Sequence, residues 1–306
     1  MPDLDLLRIA LLRQFEDRGI KSPFYTPLEG VILLKAKAER HPTYIVHNPA
    51  LCIVVQGAKW TTFGDRRLEY QAGQAMVVSV EMPGGSQVVE GDDLPYLGMV
   101  VEFDLAIMRE VYEALATEPQ LGTPKQPGAF VIDLNTQLIN CAVRILELLD
   151  RPQAVSILYP VVMRELCYWL LSSPHGEALA SRVVGNDLNR KVIQAIRMLR
   201  ECFNKSVRLD ELADIAGLSP SAFHRHFKIL TDMTPLDFQK KIRMVEARRL
   251  MIAEDMSAET AAFEVGYASA SQFSREYARM FGAPPRRDIE RLRRSTDTKA
   301  REIEVS

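Results

Sequence analysis

Cysteine is scarce in this chain of 306 residues: there are four, at 52, 141, 167 and 202, widely spaced and with no CxxC. That excludes a disulfide scaffold and a zinc ribbon, and the apolar neighbours of each mark buried, reduced thiols. Histidine is scarce where a metal enzyme would need it. Only His41 and His47 fall in the first half, none occurs between 48 and 174, and the nearby Pro42 and Asn48-Pro49 place both in loops. A catalytic metal site asks for two or three His with a carboxylate, so no metal is expected. The Walker loop, GxSxG, HExxH and a GxGxxG after a strand are missing too, so neither an enzyme activity nor a cofactor is expected. No apolar run approaches the roughly 20 residues of a membrane span, and charges interrupt the N-terminal MPDLDLLRIALLRQFEDRG where a signal core would lie. The expected location is the cytoplasm, with no membrane partner.

What is present is an uneven distribution of charge. Residues 187–294 hold 20 Lys and Arg against 15 Asp and Glu, whereas the remainder holds 18 against 25. A basic C-terminal third on an acidic remainder is the asymmetry expected when one domain meets phosphate and the other does not.

The pattern of apolar residues divides the chain in the same place. Leu4, Leu7, Leu11 and Phe15 form one stripe of an opening helix within an arm of residues 1–27. From 28 the sequence turns to short Val-, Ile- and Tyr-rich runs, among them GVILLKAKA, ALCIVVQG, RRLEYQAG and LPYLGMVVEFD, separated by Gly, Pro, Asn and Asp. Such spacing predicts a compact antiparallel sandwich or barrel. A turn-rich QLGTPKQPGAF follows, then two helices near 133–150 and 153–172. Leu134, Leu138, Cys141, Ile145 and Leu148 stripe the first of these, either packing on the β domain or covering a partner copy in a homodimer. The β domain with its hairpin is assigned to 28–175, a small polar linker to 176–188, an all-helical domain to 189–287 and a charged tail to 288–306. The fold class is therefore two-domain α+β.

The helical domain spells one unit twice. GLSPSAFHRHFKILTDMTP at 217–235 and GYASASQFSREYARMFGAPP at 266–285 share Phe-x-Arg-x-aromatic at 223–227 and 273–277, with Pro235 and Pro285 at matching offsets. Each copy follows a short Ala-rich helix and a Gly turn. On the first helix Phe223, Phe227 and Leu230 make a packing stripe, and Ser221, His224, Arg225 and Lys228 form the opposite stripe. In the second, Phe273 and Tyr277 pack while Ser271, Gln272, Arg275 and Arg279 face out. Arg pairs bidentately with guanine and Gln with adenine in a major groove. Between the copies PLDFQKKIRMVEARRLMI reads as one helix of about 27 Å, which suits two reading helices in successive grooves roughly 34 Å apart. Its Lys240, Lys241, Arg243, Arg248 and Arg249 are candidate phosphate contacts, as are the helix N-termini at Leu209 and Ser257.

On LDELADIAGLSPSAFHRHFK, RMVEARRLM and AAFEVGYASASQFSREYARMFGAPP, residues 189–287 resemble the double helix-turn-helix domain of the AraC/XylS family of bacterial transcription regulators. The resemblance implies that Ser221, Ala222, His224 and Arg225, and then Ser271, Gln272 and Arg275, contact bases. It implies double-stranded DNA as partner, and RNA polymerase if the protein activates. One departure is Asp232, where the family commonly has Gly; Asp tolerates a left-handed turn, so the geometry is expected to survive. Residues of about 25–170 resemble the family's cupin-like sensor domain, an antiparallel β-barrel with a helical hairpin.

That domain is expected to hold a small-molecule effector, or to dimerise without one; a cupin metalloenzyme fused to a DNA-binding domain is the remaining alternative. Tyr44, Cys52, Trp60, Tyr70, Met82, Tyr96 and Met99 are the candidate lining residues. Their few charges suggest an apolar or lightly oxygenated metabolite, and an electrophile such as an aldehyde if Cys52 lines the cavity.

Overall fold

A computed structural model describes residues 2–19, 22–36, 42–89, 94–117, 119, 127–182 and 187–293. Among the described residues ten strands form two antiparallel sheets. The strands are β1 (Phe24–Tyr25), β2 (Val31–Ala36), β3 (Thr43–His47), β4 (Ala50–Gln56), β5 (Ala58–Phe63), β6 (Arg66–Gln71), β7 (Gln74–Val78), β8 (Met82–Val88), β9 (Tyr96–Glu102) and β10 (Ala129–Asp133). One sheet runs β1-β2-β9-β4-β7-β10 and the other β3-β8-β5-β6. Eight of the strands coincide with the runs expected from sequence. β10 does not: it follows a Pro- and Gly-rich stretch that reads as loop, and it forms because Ala129 to Asp133 pair with β7.

Strand alternation sorts the side chains into two layers. On β4, Leu51, Ile53 and Val55 join the core beneath the helices, whereas Cys52 and Val54 face the other sheet. The helical layer consists of α1 (Pro2–Arg18), α2 (Leu105–Glu113), α3 (Thr136–Leu148) and α4 (Val155–Leu171). Leu7, Leu11 and Phe15 of α1 are buried in this layer, which α1 shares with α3. Asp104 caps α2, its carboxylate accepting from the Ala106 and Ile107 amides.

Two sequence expectations are corrected here. Leu134, Leu138, Cys141, Ile145 and Leu148 are all buried inside the chain's own core and offer no surface to a partner copy. The apolar surface lies on α4 instead, where Ile157, Leu158, Val161 and Tyr168 are exposed. Second, Pro152–Leu171 is long and apolar enough to cross a membrane by length and composition. It nevertheless packs Val162, Met163, Leu166, Cys167 and Leu170 into the core, while Arg164 and Glu165 pair outward with Glu110 and Arg144. The described residues of the expected linker are packed. They include α5 (Gly176–Ala180), and Arg182, nine-tenths or more buried, donates to the Ala178 carbonyl at 2.7 Å and that of Pro127 at 2.9 Å.

The C-terminal part comprises α6 (Asp187–Glu201), α7 (Leu209–Ala216), α8 (Pro220–Thr231), α9 (Pro235–Ala253), α10 (Ala258–Glu264) and α11 (Ala270–Phe281), with a further helical turn set over 285–293. That last stretch is not a free charged tail, because Asp288 is fully buried and Ile289 nearly so. The two parts share one core: Phe63, Met76 and Met82 of the sheets cluster with Phe223, Phe227 and Leu230 of α8.

Candidate nucleic-acid interface and cavity

The two repeated units fold alike because the same local signals recur. Each short helix, α7 and α10, is followed by a left-handed glycine, Gly217 at φ 63° and Gly266 at φ 87°. Ser219 then caps α8 and Ser269 caps α11, each side-chain oxygen accepting an amide from three residues on. Phe223 and Phe227, and Phe273 and Tyr277, are wholly buried. That burial fixes the opposite stripes outward: Ser221, Arg225 and Lys228 on α8 are exposed, as are Ser271, Gln272, Arg275 and Arg279 on α11, with Ala222 and His224 half-buried at the edge. Gln272 is held by Glu276, to which its amide donates at 3.1 Å, and Tyr267 donates to the same carboxylate at 2.6 Å.

The basic residues of α9 divide sharply. Lys240 stays half-exposed, 4.0 Å from Glu276. Lys241 donates to the Gly64 carbonyl of the barrel at 3.3 Å, and burial lowers its pKa. Arg243 donates to the carbonyls of Phe203, Lys205 and Gly266, bracing the first unit against the second. Arg248 forms a buried two-bond pair with Asp288, which also accepts from the Tyr277 hydroxyl at 2.8 Å. Arg249 pairs with Glu246 and Glu254. The expectation that Lys241, Arg243 and Arg248 meet phosphate is therefore corrected; their charges are spent on partners inside the protein.

The barrel touches both reading helices near their C-terminal ends. The Gly128 amide donates to the Leu230 carbonyl at 2.9 Å, and a side chain at Gly64 would collide with the Asp232 carbonyl. Arg66 approaches the Asp232 carboxylate, and Tyr44 meets the Phe281 ring edge-on at 5.1 Å. Asp232 adopts φ 58° and its counterpart Gly282 φ 75°, so the departure at 232 preserves the left-handed turn.

Those features bear on which family the chain falls in. A family model for the N-terminus of AraC-type transcriptional regulators matches residues 27–178, and a helix-turn-helix domain model matches 212–291, the span of both reading helices. The chain belongs to the AraC/XylS family. Among its AraC/XylS relatives, the transcriptional activator RhaS of Yersinia pestis is 30% identical over 103 residues, which are 34% of this chain and 38% of RhaS. RhaS of Escherichia fergusonii is 35% identical over 91 residues, 30% of this chain and 33% of RhaS. The chain thus spans about a third of the length of the curated relatives it matches. Its fold is similar to that of ToxT from Vibrio cholerae. An apo ToxT variant aligns over 87% of this chain and 98% of its own with a TM-score of 0.55 at 9% identity. ToxT bound to a methylnaphthalenyl butenoic acid aligns over 86% and 97% with a TM-score of 0.57 at 11% identity.

A cavity of about 640 Å³ opens between the two sheets of this AraC-type barrel. Of the seven expected lining residues Cys52, Tyr70 and Tyr96 face it, and Met99 borders it while packing in the core beneath the helices. The other three are corrected. Tyr44 lies against Phe281, Trp60 lies under the Arg67 guanidinium at 4.5 Å, and Met82 is buried in the core shared with α8. Sequence reasoning missed His47, Lys59, Ser86 and Glu102, which line the cavity; only the strand register could have found them.

His47 ends β3 rather than lying in a loop, while His41 falls outside the described residues. Burial, aided by Lys59, pushes the His47 imidazole down to about 3, so it is neutral near pH 7. Around it runs a hydroxyl chain, Tyr70 to Thr61 at 3.0 Å and Thr61 to Ser86 at 2.9 Å. Burial pushes the Cys52 thiol up to about 11, which leaves little thiolate to attack an electrophile. Among the described residues no three His, Cys, Asp or Glu side chains are grouped to hold a metal ion.

Proposed function

We propose that this protein is a sequence-specific regulator of transcription that reads double-stranded DNA through α8 and α11 and takes a small-molecule effector in the barrel cavity. The observation that carries the reading is the duplicated frame: two outward stripes of hydrogen-bond donors, each fixed by a buried aromatic pair, at the two ends of α9. A 19-residue helix is about 28 Å long, close to one turn of B-DNA. The effector part is supported by the cavity between the sheets and by ToxT, a protein of the same fold determined with an unsaturated fatty acid bound. Activation, and with it contact to RNA polymerase, is proposed from the RhaS activators. The cavity is read as a binding site and not a catalytic one.

A homodimer is part of the proposal, through the α4 face of Ile157, Leu158, Val161 and Tyr168 in place of the buried α3 stripe. Sedimentation of Val161→Glu checks it, with loss of the dimer expected. The central test is selection of binding sites from random duplexes by the full chain, repeated with Arg275→Ala. Arg275→Ala is expected to cost about 1–3 kcal/mol and to relax preference at one base pair. Enrichment of no consensus by the native chain would overturn the reading.

A further inference from the structure

The second reading helix carries a hydrogen-bonded network that the first lacks, and we propose that Glu276 is a positioning residue that fixes the Gln272 carboxamide so that it reads adenine and rejects guanine. The inference rests on the DNA-reading function above and adds to it a specificity-determining residue behind the outward stripe.

Gln272 is in the first turn of α11, where the Ser269 side chain accepts its backbone amide. Recognition helices present that end to base edges, and Gln272 is exposed there. One helical turn further on, Glu276 accepts from the Gln272 side-chain amide through Oε1 at 3.1 Å and from the Tyr267 hydroxyl through Oε2 at 2.6 Å. Both carboxylate oxygens are thereby held. Tyr267 is itself buried, edge-on to Phe273 at 5.5 Å, with the Arg243 guanidinium 5.7 Å from its ring centre. Arg243 also donates to the Gly266 carbonyl, so the network is anchored in the turn between α10 and α11. The equivalent positions of the first copy are Leu218, Ala222 and His226, and neither a Leu nor an Ala side chain can hydrogen-bond.

An ionised carboxylate accepts and cannot donate, so the atom of Gln272 turned towards it is the amide nitrogen. Burial works against the charge of Glu276, but the hydrogen bonds from Tyr267 and Gln272, with Lys240 and Arg279 nearby, bring its pKa below the ordinary carboxylate value. It is therefore ionised at neutral pH. Lys240, 4.0 Å away, also offsets the repulsion between this acidic side chain and the phosphates of a bound duplex. The side-chain oxygen of Gln272 and its second N–H are left for the groove. That pair matches adenine, whose N6 donates and whose N7 accepts, whereas guanine presents two acceptors, O6 and N7. An amide free to turn over would offer guanine an N–H instead. Against the fixed amide, guanine sets oxygen against oxygen and leaves both without a donor at a desolvated contact.

The test is selection of binding sites from random duplexes by the full native chain, by Gln272→Ala and by Glu276→Gln. Gln272→Ala marks the base pair that Gln272 reads, which the native chain is expected to hold as adenine. Glu276→Gln keeps the shape but can donate as well as accept. At the marked base pair it should lower the preference for adenine over guanine by at least about fivefold, the smaller end of what a bidentate contact discriminates. The base pairs read by α8 and by Arg275 should keep their preferences. A uniform loss of affinity with that ratio unchanged is what a merely structural role for Glu276 gives, and it would overturn the inference. Guanine at the marked base pair in the native consensus would overturn it too. If Glu276→Gln does not fold, the native chain decides on duplexes carrying purine, which lacks the N6 amino group, in place of that adenine. Binding weaker by at least about fivefold is expected, and undiminished binding overturns the outward oxygen. Enrichment of no consensus by the native chain would overturn the proposed function itself, whereas a consensus untouched by Gln272→Ala would overturn only the roles of Gln272 and Glu276.

Discussion

The guanidinium of Arg66 lies 3.0 Å from the carboxylate of Asp232, an ion pair that joins the first residue of β6 to the left-handed turn ending the first reading helix. Both side chains are largely covered, and burial raises the Asp232 pKa while Arg66 lowers it. The family's usual Gly could hold the turn but not the pair. Arg66→Met leaves a covered carboxylate without its cation and should destabilise the chain by about 1–3 kcal/mol. Asp232→Gly removes both the carboxylate and the left-handed cost of a non-glycine residue, for a net change within about 1 kcal/mol. Urea unfolding of the two variants decides the matter; equal losses would show that the pair contributes nothing.

Asp288 is a second test of buried charge. It has no exposed surface and accepts from Arg248, Arg291 and Tyr277 beneath α11. Arg248→Met is expected to cost about 3–5 kcal/mol, because the remaining carboxylate stays buried. Tyr277→Phe removes one neutral-to-charged hydrogen bond and should cost about 1.5–3 kcal/mol. Thermal unfolding would rank them, and a Tyr277→Phe loss exceeding that of Arg248→Met would contradict the assignment.

Salt dependence of DNA binding separates the basic residues that structure has sorted. Lys228 is exposed on the reading helix, so Lys228→Ala should lower the slope of log K against log salt by about 1. Lys241→Met should leave that slope unchanged, since its ammonium is donated to Gly64. A fall in slope for Lys241→Met would mean that the barrel releases it on DNA.

His47 gives the stability a pH dependence with a definite sign. Its folded pKa, about 3, lies below the unfolded value near 6.5, so the unfolded chain takes up the proton first. Stability is therefore full above about pH 6.5 and falls below it by about 1.4 kcal/mol per unit until about pH 3. His226, also lowered by burial and by Arg225, adds a slope of the same sign. Unfolding at about pH 7.5 and about pH 5.5 should differ by about 1 kcal/mol less in His47→Gln than in the native chain. An unchanged difference would mean that His47 titrates normally.

The reading helices were legible in the sequence because their signals are local: a Gly turn, a Ser cap and aromatics four residues apart need no distant partner. β10 was not, since Ala129 to Asp133 are held by β7, some fifty residues earlier. The basic stripe of α9 misled for the same reason. Arg243 is satisfied by carbonyls at 203, 205 and 266, and Arg248 by Asp288, none of them neighbours in sequence. Cavity residues depended on register, where alternation sends Met99 to the helices and Val100 to the ligand side. Lys59 and Glu102 became recognisable as cavity residues only when the two sheets were set face to face.

The continuous helix α9 also sets a rotational phase. Each residue of an α-helix turns about 100° and advances about 1.5 Å, so one residue inserted near its middle would swing α11 a quarter-turn or more around the rod. Four inserted residues would bring the orientation back to within about 40° while moving α11 about 6 Å further along. A DNA site suited to such a lengthened protein would need its second half displaced by about two base pairs, at roughly 3.4 Å per pair. The length of α9 is thus a ruler, and residues 235–253 fix the distance and the angle between α8 and α11.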